Sequence, residues 1–539
     1  MSADALILAF EEEKSRALGN ALRREAGLYY TPPAVAAQVV ELLLEHGGVR
    51  EGLLLDPCAG AGAFLVAAAR AGLRRLRGID LDPAALRVAR RALLTCGLRP
   101  QLTRADALRF RPRVPADLLV SNPPYGHVAD AREREFLARS FPALRGGEID
   151  RYAAFLLRAL QLVRPGGAAA LLVPDTWMFL ARSGPLREAV LSAADLAAVL
   201  DLGKPFAAAK DTRVQAVVLV RKPSSRRSAF VGRGGVALAP APREELLRTA
   251  TRGWFLYRTR AERSLCAAME AAAVPLGAAC SVGYGLRTGN NPRHVARRAP
   301  RSSEVGLVGG EDILPFALRW RPKALVAAGA LQPLIARQLG RARIAVQRIR
   351  TNSQAPWARW LEAAPVPAEL VCLDSLSTLA SDSAERLLAL LALVSSVAMQ
   401  RYHRLRTTDV NVKPSALREL PVPRGLLEAP AELAELARER AGVAGMSDPL
   451  AMMIPGGGEG PPKYCLYNDR ARARSTNPDA AHALDRRIDA AVYRLFALRP
   501  AEIDAAERGF WGDRFPHEIQ ALESFMSDPL ARLRTMEGT

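Results

Sequence analysis

Four short strand-like runs in the first quarter of the chain, each closing on a polar residue, constrain this sequence more than any other feature. They are Gly52–Asp56, Leu76–Asp80, Leu102–Asp106 and Asp117–Asn122. The first is apolar without alternation, as in a parallel strand covered on both faces. It is followed by Cys58-Ala59-Gly60-Ala61-Gly62-Ala63-Phe64-Leu65, a glycine turn that runs into a helix. Strand, turn and helix in succession predict an open α/β sheet, whose ligands lie beyond the C-terminal strand ends. Asp56, Asp80, Asp106 and Asn122 would then share one edge. Any one of these acids alone is as well read as a helix cap or a solvated turn. Four in succession point to a single binding edge.

Each position suggests a contact. Gly60 and Gly62 let the backbone approach a ligand at a helix start. The spacing is not G-x-G-x-x-G, and no Lys-Ser/Thr follows, so a dinucleotide site or a P-loop is disfavoured. Asp80, 24 positions after Asp56, suits a pair of ribose hydroxyls. Asp106 suits an adenine amino group.

Asn122-Pro123-Pro124-Tyr125 closes the fourth run. The prolines fix φ and remove donors, leaving rigid carbonyl acceptors beside an amide and a flat ring. Such a strand tip can hold a planar NH2 group and polarise its nitrogen. The plainer reading is a proline-rich turn after a buried strand, which the preceding acids make less economical.

These residues resemble, in order, the class I S-adenosylmethionine-dependent methyltransferases, and within them the gamma-class, TaqI-like DNA adenine-N6 methyltransferases. Gly27-Leu28-Tyr29-Tyr30-Thr31-Pro32 is similar to the family's N-terminal motif, and Asp56-Pro57-Cys58-Ala59-Gly60-Ala61-Gly62 to its first cofactor motif. Asn122-Pro123-Pro124-Tyr125 matches its catalytic motif. Further matches follow at Asp150-Arg151-Tyr152-Ala153-Ala154-Phe155 and Asp201-Leu202-Gly203-Lys204-Pro205-Phe206. The likeness is strong over about 24–222 and looser beyond. There Gly283-Tyr284-Gly285-Leu286-Arg287-Thr288-Gly289-Asn290 resembles the opening of a target-recognition domain and Leu420-Pro421-Val422-Pro423 its close. Leu484 to Tyr493 resembles a following helix.

The resemblance implies a Rossmann-like seven-stranded methyltransferase sheet (an α/β fold), a mixed α+β DNA-recognition domain and a helical C-terminal tail. It implies S-adenosyl-L-methionine as cofactor, with S-adenosyl-L-homocysteine as product and no metal. Tyr30, Thr31, Pro32, Asp56, Ala59, Gly60, Gly62, Asp80, Leu81, Asp106, Ala107 and Asn122 would line the cofactor. Asn122, Pro123 and Tyr125 would be catalytic, and Tyr125, Phe155 and Phe206 would contact an extruded base, although Phe155 is equally a core residue of its helix. The implied partner is double-stranded DNA, with Arg287, Thr288, Asn290, Arg348 and Arg350 as candidate contacts. A separate restriction or defence-system subunit is also allowed for. The family includes solitary enzymes, restriction-modification pairs and defence systems of the BREX or DISARM type, and the sequence does not choose among them.

Composition fits this. The chain has 539 residues, a net charge of +20 and 49% hydrophobic residues, which suits two or three globular domains and a polyanionic partner. Arginine richness also follows from a GC-rich genome, although that does not demand an excess over acids. The charge is uneven. From Arg287 to Arg350 there are 13 Arg or Lys against 3 Asp or Glu. With Trp320, Trp357 and Trp360 beside it, this stretch is expected to form a duplex-gripping face, the alternative being a solvated basic surface. The six cysteines form no C-x-x-C pair, so no zinc site is signalled and reduced thiols are expected. The N-terminus has no signal-peptide pattern, and Leu387–Val397 is too short to span a membrane. A cytoplasmic protein is the expectation.

Expected domains are a helical lead-in at 1–23, a catalytic domain at 24–235, a recognition domain at 250–425 and a helical extension at 426–539. A polar connector at 222–228 and a Pro/Gly-rich break at 455–462 would separate segments. Ile344–Val346 and Leu370–Leu373 read as strands, Ala384–Tyr402 as one helix, and Asp479–Arg508 as a helical tail. Two other enzymes share the Asn-Pro-Pro-Tyr chemistry. One group methylates the glutamine amide (N5) of release factors, and another methylates RNA bases. The former are shorter and lack a large basic second domain. The latter usually carry an RNA-binding appendage not evident here. A non-enzymatic DNA-binding subunit would not need the intact glycine loop. No nuclease cluster is evident, so restriction would come from another chain.

Overall fold

The computed structural model describes residues 2–26, 31–206, 213–221, 230–233, 236–237, 240–251, 253–255, 259–271, 273–326, 329–348, 360–406, 411–446, 449–453 and 477–512. The connector at 222–228, the break at 455–462, Tyr30, Arg350 and Trp357 lie outside them. The chain divides into two compact units, Met1–Arg258 and Thr259–Thr539.

The first unit is built on β1 (Leu53–Asp56), β2 (Arg75–Asp80), β3 (Gln101–Arg104), β4 (Ala116–Ser121), β5 (Val163–Pro174), β6 (Asp195–Gly203) and β7 (Val214–Val220), followed by the short strands β8 (Phe230–Arg233) and β9 (Val236–Ala237). The order is β3-β2-β1-β4-β5-β7-β6-β8-β9. The expected seven strands are therefore present, with two short ones added at the edge. β1 to β5 pair in parallel, and β7 runs antiparallel to both β5 and β6. β1 and β7 are buried throughout, as parallel-type sheets covered on both faces require.

The strand order reverses between β1 and β4, and crevices for ligands form at such a switch point. Helices α1 (Ala3–Ala26), α2 (Pro33–His46), α3 (Ala63–Arg70), α4 (Pro83–Thr95), α5 (Ala131–Ser140) and α6 (Arg151–Leu162) belong to this unit. Pro33 starts α2, where its missing N–H costs nothing. Asp82 caps α4 by accepting from Ala84 N–H at 2.8 Å. At the opposite strand ends, Asp117 ties the sheet together. Its Oδ2 accepts from Leu53 N–H and its Oδ1 from Arg164 Nε, both at 2.7 Å.

The second unit mixes strands and helices. One four-stranded sheet runs Ser281–Tyr284, Leu376–Ala380, Arg343–Gln347, Ala363–Val366, and another runs Val295–Ala296, Ala324–Leu325, Val305–Val308, Leu370–Cys372. Ala273–Pro275 pairs antiparallel with Pro421–Pro423, so the ends of the region between them meet.

Two expectations are corrected here. The stretch Ala384–Tyr402 is two helices, Ala384–Ser395 and Val397–Arg406, divided at Ser396, whose ψ is 152°. Asp489 Oδ1 accepts from Val397 N–H at 2.7 Å and Ser396 Oγ accepts from Met399 N–H at 3.3 Å. A local hydroxyl and a distant carboxylate thus start a new helix where apolar periodicity runs on unbroken. Trp320 does not lie on a basic face: it is a core residue, 5% exposed, with Nε1 donating to the Leu307 carbonyl at 2.8 Å. Burying the ring with its one donor satisfied is favourable.

The expected tail is a helical pair, Pro478–Leu495 and Pro500–Trp511. Fully buried Arg486 holds it together, donating to Glu507 at 3.0 Å and also to Asp489. Ser264 Oγ donates to Glu502 at 2.6 Å. Among the described residues no helix is long and apolar enough to cross a membrane.

Candidate active site

Asp56 ends β1, Asp80 ends β2, Asp106 lies two residues beyond β3, and Asn122 follows β4 directly. These strands are neighbours in the order β3-β2-β1-β4, so the four polar residues lie side by side on one sheet edge.

Asp80 organises the glycine loop. Its Oδ2 accepts from Gly60 N–H at 2.7 Å and its Oδ1 from Asp82 N–H at 2.8 Å. Gly60 has φ 51°, and a Cβ placed on it would meet nothing within 4 Å; the loop fronts open space there. Gly62 has φ 93°, and its missing Cβ would come 2.9 Å from Ala89 Cβ of α4. One glycine thus keeps the approach clear and the other lets two helices close up. Ala59 and Ala107 are buried. Leu81, by contrast, is 65% exposed, and Asp106 faces Arg109 at 3.2 Å. Cys58 is half-buried, and burial holds its thiol well above the usual range, as suits a packing residue rather than a nucleophile.

Asp56 is 1% exposed. Its Oδ1 accepts from Cys58 N–H at 3.0 Å, while Oδ2 has no hydrogen-bond partner. Burial pushes its carboxyl up to about 8; the Cys58 N–H offsets part of this and the Asp80 carboxylate adds to it. The orphaned buried oxygen beside an open glycine loop is a vacant acceptor, and a cationic ligand brought to it would favour the ionised carboxylate and lower that value. Burial also raises Asp80.

The sign for stability follows. Between the unfolded value of 3.8 and the folded value of about 8, the native state holds the extra proton. Stability from Asp56 is therefore present at low pH and falls as pH rises, by up to about 1.4 kcal/mol per unit. Asp56→Asn is expected to flatten that part of the stability profile in denaturant titrations from pH 5 to 8. An unchanged slope would show that Asp56 is ionised in the folded chain.

The amide of Asn122 is fixed at both ends. Its Nδ2 donates to Thr31 Oγ at 3.1 Å, and its Oδ1 accepts from the Tyr125 hydroxyl at 3.0 Å. Thr31 is buried at the start of α2, next to Pro32, whose carbonyl accepts from Ala36 N–H at 2.9 Å. Sequence reading gave Thr31 to the cofactor; the fold also makes it the anchor of Asn122. Pro123 is buried, and Tyr125 is 5% exposed. The Tyr125 ring lies 6.5 Å from Phe206, tilted by 51°, and 6.5 Å from Tyr152 at 89°. Phe155, one turn on from Tyr152 in α6, is buried too.

Tyr152 and Asp150 were not among the expected site residues. Asp150 Oδ1 accepts from Gly126 N–H at 3.0 Å, and Arg151 N–H donates to the Gly126 carbonyl at 3.0 Å. Burial raises Asp150 and, with Asp150 as neighbour, pushes the Tyr152 hydroxyl up to about 12. The signal in the sequence was the i, i+3 pair of aromatics following an acid at a helix start.

Comparison with known proteins places the likeness chiefly in the first unit. Residues 16–231 match the model of the N-6 DNA methylase family. The match lies within the first unit and spans less than half of the chain. It is similar to the type II methyltransferase M.VspI of Vibrio sp. (strain 343), 25% identical over 306 residues, covering 55% of this chain and 72% of the relative. It is also similar to a type II methyltransferase of Thermus thermophilus, 28% identical over 305 residues, covering 54% of this chain and 67% of the relative. A solved structure of the type IIL restriction-modification enzyme MmeI in complex with DNA superposes with TM-score 0.54 at 12% identity, covering 90% of this chain and 76% of that one. That likeness is one of fold, and it extends into the second unit. The first unit has the mostly parallel seven-stranded sheet that the sequence led us to expect, with two short strands added. Among its described residues, and those of the second unit, no cluster of His, Cys, Asp or Glu could hold a metal ion.

The candidate DNA residues lie in the second unit. The Arg287 side chain is 85% exposed and that of Arg348 19%. Thr288 Oγ donates to Asn291 Oδ1 at 2.5 Å, and Asn290 caps the short helix Asn291–His294.

Proposed function

We propose that this chain is a site-specific DNA methyltransferase that modifies N6 of adenine in duplex DNA with S-adenosyl-L-methionine as donor, as part of a restriction-modification system. The observation that carries this reading is the Asn122 amide, held by Thr31 with its oxygen toward the ring and hydroxyl of Tyr125. The methylase family match and the type II methyltransferases it resembles support the DNA substrate.

The exocyclic nitrogen of adenine is a poor nucleophile because its lone pair is delocalised into the ring. Asn122 Oδ1 and the Pro123 carbonyl would accept its two hydrogens, draw the nitrogen toward sp3 and free the lone pair. The base must first leave the duplex. Tyr125 would then stack on one face, with Phe206 beside it and Tyr152 packed edge-on behind. Base entry requires the Tyr125 hydroxyl to release Asn122 Oδ1, which the amino group then occupies. Asn122 has no useful pKa, so it positions and polarises rather than acting as a general base. The group fits the loop: Asp80 would hold ribose hydroxyls, Asp106 an adenine amino group, and Asp56 the cationic part. S-adenosyl-L-methionine supplies a methyl group activated by its sulfonium charge, and the methylated nitrogen would release one of its two hydrogens as a proton to water.

The test is transfer of tritiated methyl to methylation-free plasmid DNA, ribosomal RNA and a release factor in parallel. Labelled N6-methyladenine from the DNA alone is expected. Label in the release factor with none in DNA would overturn the reading. Tyr125→Ala is expected to raise the KM for DNA by about 10-fold or more through lost stacking, with cofactor affinity unchanged by titration calorimetry. Tyr125→Phe should retain most of the wild-type affinity for DNA.

A further inference from the structure

Where the strand Ser281–Tyr284 ends in the second unit, it presents an aromatic ring that the catalytic scheme does not use. Tyr284 is 56% exposed, unusual for a large ring. Three segments meet beside it. Gly285 N–H donates to the Leu376 carbonyl at 3.1 Å, Leu286 N–H to the Cys372 carbonyl at 2.6 Å, and Asp374 N–H to the Leu286 carbonyl at 3.0 Å. A Cβ on Gly285 would lie 2.0 Å from the Leu373 carbonyl oxygen, so only glycine permits this pass. From the other side Arg348, following the strand Arg343–Gln347, donates its N–H to the Ser375 carbonyl at 3.0 Å.

The close pass gathers two arginines about one acid. Arg348 Nε donates to the Asp374 carbonyl at 2.6 Å, and its guanidinium lies 3.9 Å from the Asp374 carboxylate. Arg287 Nε lies 3.7 Å from the same carboxylate. The Arg348 guanidinium also covers Tyr284, 5.6 Å from the ring centroid. Arg348 is thus engaged, whereas Arg287 extends into solvent.

We propose that Tyr284 stacks on a nucleobase of bound DNA, with Arg348 bracing the ring, Arg287 on a neighbouring phosphate and Asp374 positioning both guanidiniums. This rests on the DNA reading above and adds a contact to it. In a duplex both faces of a base are covered by its neighbours, so the contact is to a base that binding has unstacked; an exposed ring stiffened from one side by a cation offers its other side to any such base. A carboxylate beside two arginines weakens their pull on phosphate, so its use here is orientation.

The experiment measures KM and kcat on methylation-free plasmid DNA, with salt dependence of binding and thermal melting. Tyr284→Ala is expected to raise KM by about 10–100-fold, leaving melting, cofactor affinity and the salt slope unchanged. Tyr284→Trp should keep the wild-type KM. Arg287→Ala should lower the slope of log K against log salt by about 1. Asp374→Asn gives a test of sign: a positioning role predicts weaker binding, whereas removal of a merely repulsive charge would tighten it. If the wild type methylates the plasmid and Tyr284→Ala has the same KM, the inference is overturned alone. If the wild type neither binds nor methylates DNA, the underlying reading falls and the inference with it.

Discussion

Asn122→Ala is expected to lower kcat for methyl transfer to DNA by about 10²–10³-fold, the usual loss when one preorganised hydrogen-bonding group is removed from a reacting centre. Affinity for S-adenosyl-L-homocysteine should change little, because the glycine loop is held by Asp80 and Asn122 would be one of many residues lining the cofactor. Asn122→Asp is the sharper variant. It keeps the size and the Oδ1 acceptor, but replaces the NH2 donor to Thr31 with a second acceptor oxygen and adds a charge beside a polarised nitrogen. Single-turnover rates with saturating DNA separate chemistry from base entry. Near-normal turnover in Asn122→Ala would remove the amide from the mechanism and leave the Pro123 carbonyl as the only acceptor.

Asp80→Ala should abolish most cofactor binding. One carboxylate orders both sides of the crevice, accepting from Gly60 N–H in the loop and from Asp82 N–H ahead of α4. Bonds to charged acceptors contribute about 1.5–3 kcal/mol each, partly offset here by the cost of burying Asp80. A loss of about 100-fold or more in cofactor affinity is expected, from the disordered loop and the missing ribose contact together. Calorimetric titration with S-adenosyl-L-homocysteine measures it. Asp80→Asn, which preserves shape, should lose less. Affinity in Asp80→Ala within about threefold of wild type would place the cofactor elsewhere.

Much of the first unit was legible because its signals are local. Leu53-Leu54-Leu55 is a buried strand by pattern, and Gly60 and Gly62 need backbone freedom that other residues lack. The tetrapeptide at 122–125 names its own chemistry. What was not legible depends on long-range partners. The helix at 384–402 breaks because Asp489, some ninety residues on, reaches Val397 N–H at 2.7 Å. Trp320 reads as surface in a basic stretch but fills the core, where its indole N–H meets the Leu307 carbonyl on the strand Val305–Val308. Tyr152 and Asp150 come beside Tyr125 and Gly126 only once α6 packs against the loop there. The two added strands β8 and β9 are too short for a periodic signal.

The Arg486 cluster has a practical side. Its carboxylate partners come from both tail helices, and one of them, Asp489, also starts the helix at Val397 in the middle of the unit. Cutting the chain near residue 425 would strand a helix start and strip the cover from apolar side chains. A fragment meant to keep the second unit folded should therefore retain residues 259–512 together, not the strand-rich segment by itself.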